Sequence, residues 1–329
     1  MKLIFGIGLF LSLSLLCYAQ EIYKESMSLM GSDFEITVVS ENEQAGAQYI
    51  QIAVDEIKRI EKLISSWDQS SQTSEINRNA GIKPIIVDRE LYNLIERSIA
   101  ISKITDGAFD ITYASMDKLW KFDGSMTSLP TPEEVSQSVA RVGYEKITLN
   151  EDEQSVFLKQ PQMKIGFGAI GKGYAADKAK EKLMQLGVKG GIINASGDLT
   201  VWGSQPSGKA WQVAITNPMD KNHAFTKLPI MHGAVVTSGN YEKRITLEGK
   251  TFTHIIDPRT GYPSQGILSV TIFSEKGELA DALATSVFVM GIETGIDRIN
   301  QLPNVECIIV DDSGKIFTSK NIRINNNEN

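Results

Sequence analysis

The chain is poor in cysteine, in histidine and in clustered positive charge. Its 329 residues include two cysteines and three histidines, and the formal net charge is −7 with no run of basic residues. A chain without a basic stripe lacks the electrostatic footprint of nucleic-acid-binding proteins, so we expect no nucleic-acid partner. No internal repeat or low-complexity linker is visible. The share of hydrophobic residues, 42%, suits a globular fold of one large unit or two intertwined lobes.

The first residues have the pattern of a secretory signal peptide. Lys2 precedes an apolar run over residues 3–16, which is too short to span a membrane comfortably as a helix. Residues 17–19 then place small side chains where a signal peptidase requires them. This pattern predicts a signal peptide over residues 1–19, cleavage before Gln20, and an exported, periplasmic protein.

The two cysteines have different expected fates. Cys17 is removed with the signal peptide or, in the alternative interpretation, carries a lipid anchor. Cys307 lies in an apolar strand pattern and is the one cysteine in residues 20–329. An intramolecular disulfide is therefore excluded, and we expect Cys307 to be a buried, inert thiol.

Hydrophobic periodicity predicts helices that alternate with antiparallel hairpins. Steps of three and four residues predict helices over residues 49–64 and 89–104, and residues 131–134 have the sequence of a capping box. Because paired strands rather than single strands separate the helices, an α+β fold is favoured over a doubly wound parallel sheet. Strands are predicted at 22–30, 34–39, 146–149, 156–159, 163–165, 191–194, 211–216, 234–236, 243–247, 251–256, 268–274, 305–310 and 315–318, further helices at 171–186 and 293–302, and a polar, turn-rich stretch at 65–79.

The segment 278–285 reads Glu-Leu-Ala-Asp-Ala-Leu-Ala-Thr and is the most informative in the chain. Asp281 and Thr285 are four positions apart among strong helix formers, so both oxygens project from one helix face and could bind one hard cation. Since their neighbours are apolar, the helix should be mostly buried, and a buried carboxylate requires a partner. A metal ion would satisfy that requirement. In the alternative, Asp281 caps a neighbouring element.

A second segment, residues 254–261, runs from a predicted strand into a Pro/Gly turn. His254 and Asp257 stand at the point where the strand ends. The other histidines, His223 and His232, lie in loop-like surroundings. A histidine beside a turn is either structural or catalytic, and its position alone leaves both interpretations open.

A third segment, residues 166–177, is rich in glycine. It satisfies G-x-G-x-x-G formally, but a strand at 192–194 replaces the acidic residue that a dinucleotide-binding fold places about 20 positions on. It also departs from the P-loop pattern, because Gly173 stands where Ser or Thr binds magnesium. The pattern is more typical of a close backbone approach to a phosphate-bearing ligand at a helix N-terminus.

Taken in order along the chain, these three segments resemble the ApbE family of FAD:protein FMN transferases. The resemblance extends from about residue 30 to residue 291 and includes residues 30–31, 66–67, 107–112, 195–198 and 237–239. It implies an ApbE-like, T-fold-like α+β domain over residues 20–329. In this family the reaction transfers FMN from FAD to a threonine hydroxyl of a flavoprotein subunit in a membrane redox complex, and AMP is released.

The resemblance also implies a role for individual residues. Mg²⁺ would be held by Asp281, Thr285 and the backbone carbonyl of Ala169, and such hard oxygen donors leave positions open for phosphate oxygens. His254 would activate the acceptor hydroxyl, and Asp257 could orient His254 or substitute for it. Flavin contacts would come from Met30, Trp67, Ala108, Phe109, Asp110, Lys172 and Ile256.

Two points remain open within this resemblance. Many relatives carry an acidic residue where this chain has Gly166, which puts one cofactor hydrogen bond in question. Trp67 lies in a polar stretch, where it either plugs a local core or stacks on a ring.

Three other functions are compatible with parts of the pattern. They are a Mg²⁺-dependent FAD pyrophosphatase that gives FMN and AMP, a non-catalytic exported FAD-binding protein, and a Rossmann-type oxidoreductase.

Overall fold

The computed structural model describes residues 20–240, 244–247 and 249–323 of the chain. The proposed signal peptide therefore lies outside the described residues. The helices are α1 (Glu43–Ile64), α2 (Gln72–Arg78), α3 (Arg89–Ile104), α4 (Pro132–Ser138), α5 (Gly171–Gln185), α6 (Gly277–Met290) and α7 (Ile292–Asn300). The strands are β1 (Glu21–Leu29), β2 (Ser32–Ser40), β3 (Ile85–Ile86), β4 (Ile147–Asn150), β5 (Ser155–Leu158), β6 (Gly191–Ala195), β7 (Asp198–Trp202), β8 (Trp211–Asn217), β9 (Asp220–Ile230), β10 (Gly233–Gly239), β11 (Arg244–Leu247), β12 (Lys250–Thr253), β13 (Ile267–Ser274), β14 (Glu306–Asp311) and β15 (Ile316–Thr318).

Eight strands form one sheet in the order β1-β2-β6-β7-β10-β13-β14-β15. Every neighbouring pair in it is antiparallel, beginning with a hairpin whose register runs from Glu21 opposite Ser40 to Leu29 opposite Ser32. Smaller sheets are formed by β8–β9, by β11–β12 and by β3-β5-β4. The predicted α+β class is confirmed, and a Rossmann fold is excluded because that fold requires a mostly parallel sheet.

The large sheet is covered on both faces, because successive side chains of a strand point to opposite sides. In β2, Ile36 and Val38 pack into the core formed with α1 and α5, whereas Val39 packs against the β8–β9 hairpin. In β10, Val236 faces the core around α6, and Val235 faces the hairpin side. Helices α1, α5 and α6 therefore lie on one face of the sheet, and α5 contacts both of the others.

Several local predictions are confirmed. Helix α3 has the predicted bounds, and α4 begins with the predicted capping box, in which Thr131 and Glu134 exchange hydrogen bonds. Cys307 is buried and free. No helix in the described ranges is both long and apolar enough to cross a membrane.

Other local predictions are wrong. The stretch predicted as turn-rich contains α2, which begins at the N-cap Ser71, and residues 163–165 form no strand. The sequence pattern predicts none of the strands β3, β7 and β9. The strand predicted over residues 251–256 ends at Thr253, and Ile256 makes only an isolated bridge to Pro263.

Candidate active site

Most of the residues predicted to bind flavin or metal or to act in catalysis line one large cavity. Its volume is about 1200 Å³, and it is lined by parts of the glycine-rich turn, of α6, of the turn after β12 and of the segment before the short 3₁₀ helix Ile111–Ser115. Clefts that bind small molecules usually measure about 300–1,000 Å³. The cavity is therefore large enough for a dinucleotide-sized ligand. The predicted site residues that line it are Trp67, Ala108, Phe109, Asp110, Ala169, Lys172, His254, Ile256, Asp281 and Thr285.

The predicted metal ligands lie together at this cavity. Asp281 and Thr285 both come from α6, and Ala169 comes from the turn that precedes α5. The backbone N–H of Gly173 donates to Oδ2 of Asp281 at 3.1 Å, and the hydroxyls of Ser238 and Thr285 lie 3.5 Å apart. The spacing of four residues therefore directs a carboxylate and a hydroxyl into the same cavity, as predicted.

The electrostatics around Asp281 favour a bound cation. Burial raises the pKa of the Asp281 carboxyl, the nearby Asp198 carboxylate raises it further, and the Lys172 ammonium opposes both effects. The positive charge of Lys172 only partly offsets the burial of this carboxylate, and a bound cation would offset it further.

The oxygen donors at this site can be compared with those that magnesium commonly takes. Within the described part of the chain, no three His, Cys, Asp or Glu side chains converge as a metal cluster. Mg²⁺ differs from most metals in this respect, because one or two carboxylates and the substrate phosphates commonly hold it. Asp281, Thr285 and the carbonyl of Ala169 fit that pattern.

Asp198 is a site residue that the sequence-based assignment omitted. It is buried, lines the cavity and forms an ion pair with Lys172, which was predicted as a flavin contact. The sequence offers one indication of this role, because Asp198 ends the segment 195–198, which belongs to the family resemblance. Lys172 therefore interacts with two carboxylates, because it is ion-paired with Asp198 and its charge lowers the pKa of Asp281.

The structure explains the glycine at position 173 by helix packing, and not by the predicted approach to a phosphate. A Cβ atom at this position would lie 2.1 Å from the carbonyl oxygen of Gly277, which is far closer than such atoms can approach. The glycine therefore permits close packing of α5 against α6, whereas the sequence pattern indicated a close approach to phosphate. Gly166 does line the cavity, and a Cβ there would meet Ala114 at 3.1 Å.

His254 lies at the cavity, and Asp257 does not line it. His254 is half-buried, and the edge of its ring contacts Phe122 with 6.5 Å between ring centroids. Arg259 donates to both carboxylate oxygens of Asp257, from Nε at 2.9 Å and from Nη2 at 2.8 Å. Asp257 thus stabilises the turn after His254, and its predicted catalytic role stays a prediction. His232 is exposed, and the side chain of His223 lies outside the described part.

The predicted flavin contacts have different surroundings. Trp67 is 80% exposed, and the Lys118 ammonium lies 4.7 Å from its ring centroid, so this ring is not a core plug. Ala108 and Phe109 form a buried part of the cavity wall. Met30 has a left-handed backbone with φ of 51°, packs against the main core and is not among the residues that line the cavity.

Asp110 supports the cavity wall through its own hydrogen bonds. Its carboxylate accepts from the backbone N–H of Thr112 at 2.7 Å and of Tyr144 at 2.7 Å. Burial raises the pKa of Asp110, and these hydrogen bonds oppose that effect.

The comparison with known proteins assigns the chain to a family. A family model described as the ApbE family matches residues 30–309. A relative from Klebsiella pneumoniae, a FAD:protein FMN transferase, is 32% identical over 92% of this chain and 93% of its own length. The chain therefore belongs to the ApbE family.

Further relatives and solved structures agree with this assignment. A FAD:protein FMN transferase from Haemophilus influenzae is 30% identical over 80% of this chain and 77% of its own length. The crystal structure of the ApbE protein from Thermotoga maritima superposes with a TM-score of 0.83 at 30% identity, covering 91% of this chain and 97% of that one. The flavin transferase ApbE from Vibrio cholerae shares the fold with a TM-score of 0.78 at 24% identity, covering the same shares of the two chains.

Proposed function

We propose that this protein is a Mg²⁺-dependent FAD:protein FMN transferase. It moves FMN from FAD to a hydroxyl group of an acceptor protein and releases AMP. The names of the curated relatives support this proposal. The observation that carries it is one cavity that joins the Asp281–Thr285 pair, the Ala169 turn and His254.

FAD occupies the cavity with its ring toward the aromatic and apolar wall. Trp67 offers an exposed ring face for stacking, and Phe109 and Ile256 line the apolar side. Lys172, although paired with Asp198, supplies a positive charge next to the carboxylate cluster where the pyrophosphate belongs. These contacts hold the dinucleotide in position, which is the main requirement of phosphoryl-type transfer.

Asp281, Thr285 and the carbonyl of Ala169 would hold the magnesium ion. When bound, Mg²⁺ neutralises negative charge that develops on the pyrophosphate oxygens. The carboxylate of Asp281 contributes most to this binding, because it is the one charged ligand of the three. Thr285 and Ala169 add neutral oxygen donors that fix the direction of approach.

His254 acts as the general base. The acceptor hydroxyl oxygen attacks the phosphorus on the riboflavin side of the pyrophosphate, the bond from that phosphorus to the bridging oxygen breaks, and AMP leaves. The hydroxyl proton passes to the imidazole of His254, because histidine is the side chain best suited to proton transfer near neutral pH. Asp257 and Arg259 keep the turn after His254 in place.

The acceptor is a threonine hydroxyl of a flavoprotein subunit in a membrane redox complex, and the reaction takes place outside the cytoplasm. The signal-peptide pattern of residues 1–19 supports this location, and mature protein should begin at Gln20. The mass of the N-terminal fragment from the native host tests this. A diacylated fragment that begins at Cys17 would show a lipid anchor in its place.

Incubation with FAD, Mg²⁺ and candidate acceptor subunits tests the activity, with intact mass measured for each subunit. A gain equal to the mass of FMN less one water, with an equal amount of AMP, supports the transferase. Rapid release of AMP and free FMN without any acceptor would identify a pyrophosphatase. Tight retention of FAD without AMP under any condition would identify a binding protein.

A further inference from the structure

Asp177 on α5 contacts α6, the helix that carries Asp281 and Thr285, but it is not among the residues that line the cavity. Its side chain is 5% exposed, and its Oδ2 accepts the backbone N–H of Glu278 in the first turn of α6 at 3.0 Å. The first N–H groups of a helix lack partners within the helix, and no side chain at the N-cap Lys276 supplies one. Asp177 therefore caps α6 from a neighbouring helix.

A second contact holds the same turn of α6 from another direction. The carboxylate of Glu278 accepts from Nε of Arg97 on α3 at 2.7 Å and from Nη2 at 3.1 Å. The Glu278 side chain is buried, and the Arg97 guanidinium also lies over the Tyr174 ring of α5 at 5.6 Å. A paired guanidinium and carboxylate of this geometry is directional as well as attractive.

The backbone leaves α6 little room at this turn. A Cβ atom at Gly277 would lie 2.7 Å from Oγ1 of Thr200 and 3.0 Å from the carbonyl oxygen of Gly173. Close packing prevents α6 from moving inward, and the two polar contacts oppose movement outward. The position of Asp281, one turn further along α6, is thereby fixed relative to the turn that contains Ala169.

We propose that Asp177 and the Arg97–Glu278 pair are positioning residues for the cation site. They hold α6 against α5 and so fix Asp281 relative to the turn that contains Ala169. This inference rests on the proposed magnesium site. Groups bonded directly to metal ligands typically contribute about 10–100-fold to metal affinity, and contacts one step further out should contribute at or below the lower end of that range.

Binding of Mn²⁺ alone, followed by electron paramagnetic resonance of the free ion, tests this without measuring activity. We expect Asp177→Ala to weaken Mn²⁺ binding about tenfold. Asp177→Asn should bind nearly as well as the wild type, because its amide oxygen can still accept the N–H of Glu278. Unchanged FAD affinity in EDTA for both variants would show that the cavity itself is intact.

A second pair of variants covers the case in which Asp177→Ala does not fold. Arg97→Met removes the other contact, and we expect it to weaken Mn²⁺ binding severalfold. Arg89→Met is the matched control on the same helix, because Arg89 lies over Tyr92 and near Glu151 at 3.9 Å and should leave Mn²⁺ binding unchanged.

Mn²⁺ titration of the wild type distinguishes failure of the proposed metal site from failure of the positioning role. Wild-type protein that binds no Mn²⁺ would refute the proposed metal site and this inference together. Wild-type binding with equal affinity in folded Asp177→Ala and Arg97→Met would refute the positioning role alone. A lowered melting temperature without a change in Mn²⁺ affinity would mean that these residues serve only stability.

Discussion

Gly173→Ala is the substitution for which the structure and the glycine-rich pattern predict different results. In the structure the added Cβ would lie 2.1 Å from the carbonyl oxygen of Gly277 and 2.9 Å from Cβ of Asp281. A backbone carbonyl in a helix cannot rotate away, so α5 and α6 must separate. If the glycine instead serves phosphate approach, the substitution should impair FAD binding and leave stability unchanged.

The expected loss of stability can be worked out from this contact. Overpacking of a core costs about 1–3 kcal/mol, and the backbone clash belongs at the upper end of that range. Replacing a helical glycine by alanine returns about 0.5–1 kcal/mol. The net decrease in the free energy of unfolding is therefore about 2 kcal/mol. With a urea m-value of about 3 kcal/mol per molar, the unfolding midpoint should fall by roughly 0.7 M.

Gly171→Ala is the matched control, two residues earlier in the same helix. Its added Cβ would meet the terminal Cδ1 of Ile64 at 2.8 Å, and that methyl group can rotate away. We expect the midpoint of this variant to fall by less than half as much. Urea unfolding of both variants in EDTA, together with FAD titrations, provides the measurement. A wild-type midpoint in Gly173→Ala with weakened FAD binding would refute the helix-packing explanation.

Three further predictions concern single side chains. Asp281→Ala should abolish FMN transfer and also the increase in melting temperature that Mg²⁺ causes in the wild type, because it removes the one charged ligand. His254→Gln should slow AMP release by about 10²–10⁴-fold and leave FAD affinity nearly unchanged, since a general base acts in the transition state. Timed assays of AMP measure the rate, and equilibrium titration with FAD measures the affinity. Cys307 should resist iodoacetamide at pH 8 until the protein unfolds, because burial raises the pKa of its thiol to about 11, as mass spectrometry would show.

Specific results would contradict each of these three. Full transfer by Asp281→Ala at limiting Mg²⁺ would remove Asp281 from the metal site. Loss of FAD binding together with catalysis in His254→Gln would make His254 a ligand-positioning residue, and Asp257 would become the next candidate for the base. Labelling of native Cys307 at the rate of a free thiol would mean that this strand opens readily.

Features of the site that depend on local spacing were predictable from the sequence. A helix places residues four apart on one face whatever its surroundings, so the Asp281–Thr285 pair followed directly from the pattern. The capping box at Thr131 and the opening hairpin likewise depend on residues close together in the chain. The family resemblance rested on three ordered segments of this kind, and the match over residues 30–309 confirms it.

Features that depend on distant partners were not predictable. Helix α2 is too short to be stable alone, and Asn77 within it exchanges hydrogen bonds with the backbone of Ile165, 88 residues away. Asp198 begins β7, and the structure makes it a buried partner of Lys172. Neither partner lies within the range over which sequence periodicity is informative.

The sequence by itself determined that Asp281 and Thr285 share one helix face, because helical spacing is a local property. Only the tertiary structure decided how those residues are held. It showed that Gly173 on α5 packs against Gly277 on α6 and that Met30 packs against the main core. The physical reason is that such packing joins segments that are far apart in the chain, as Asp177 and Glu278 are.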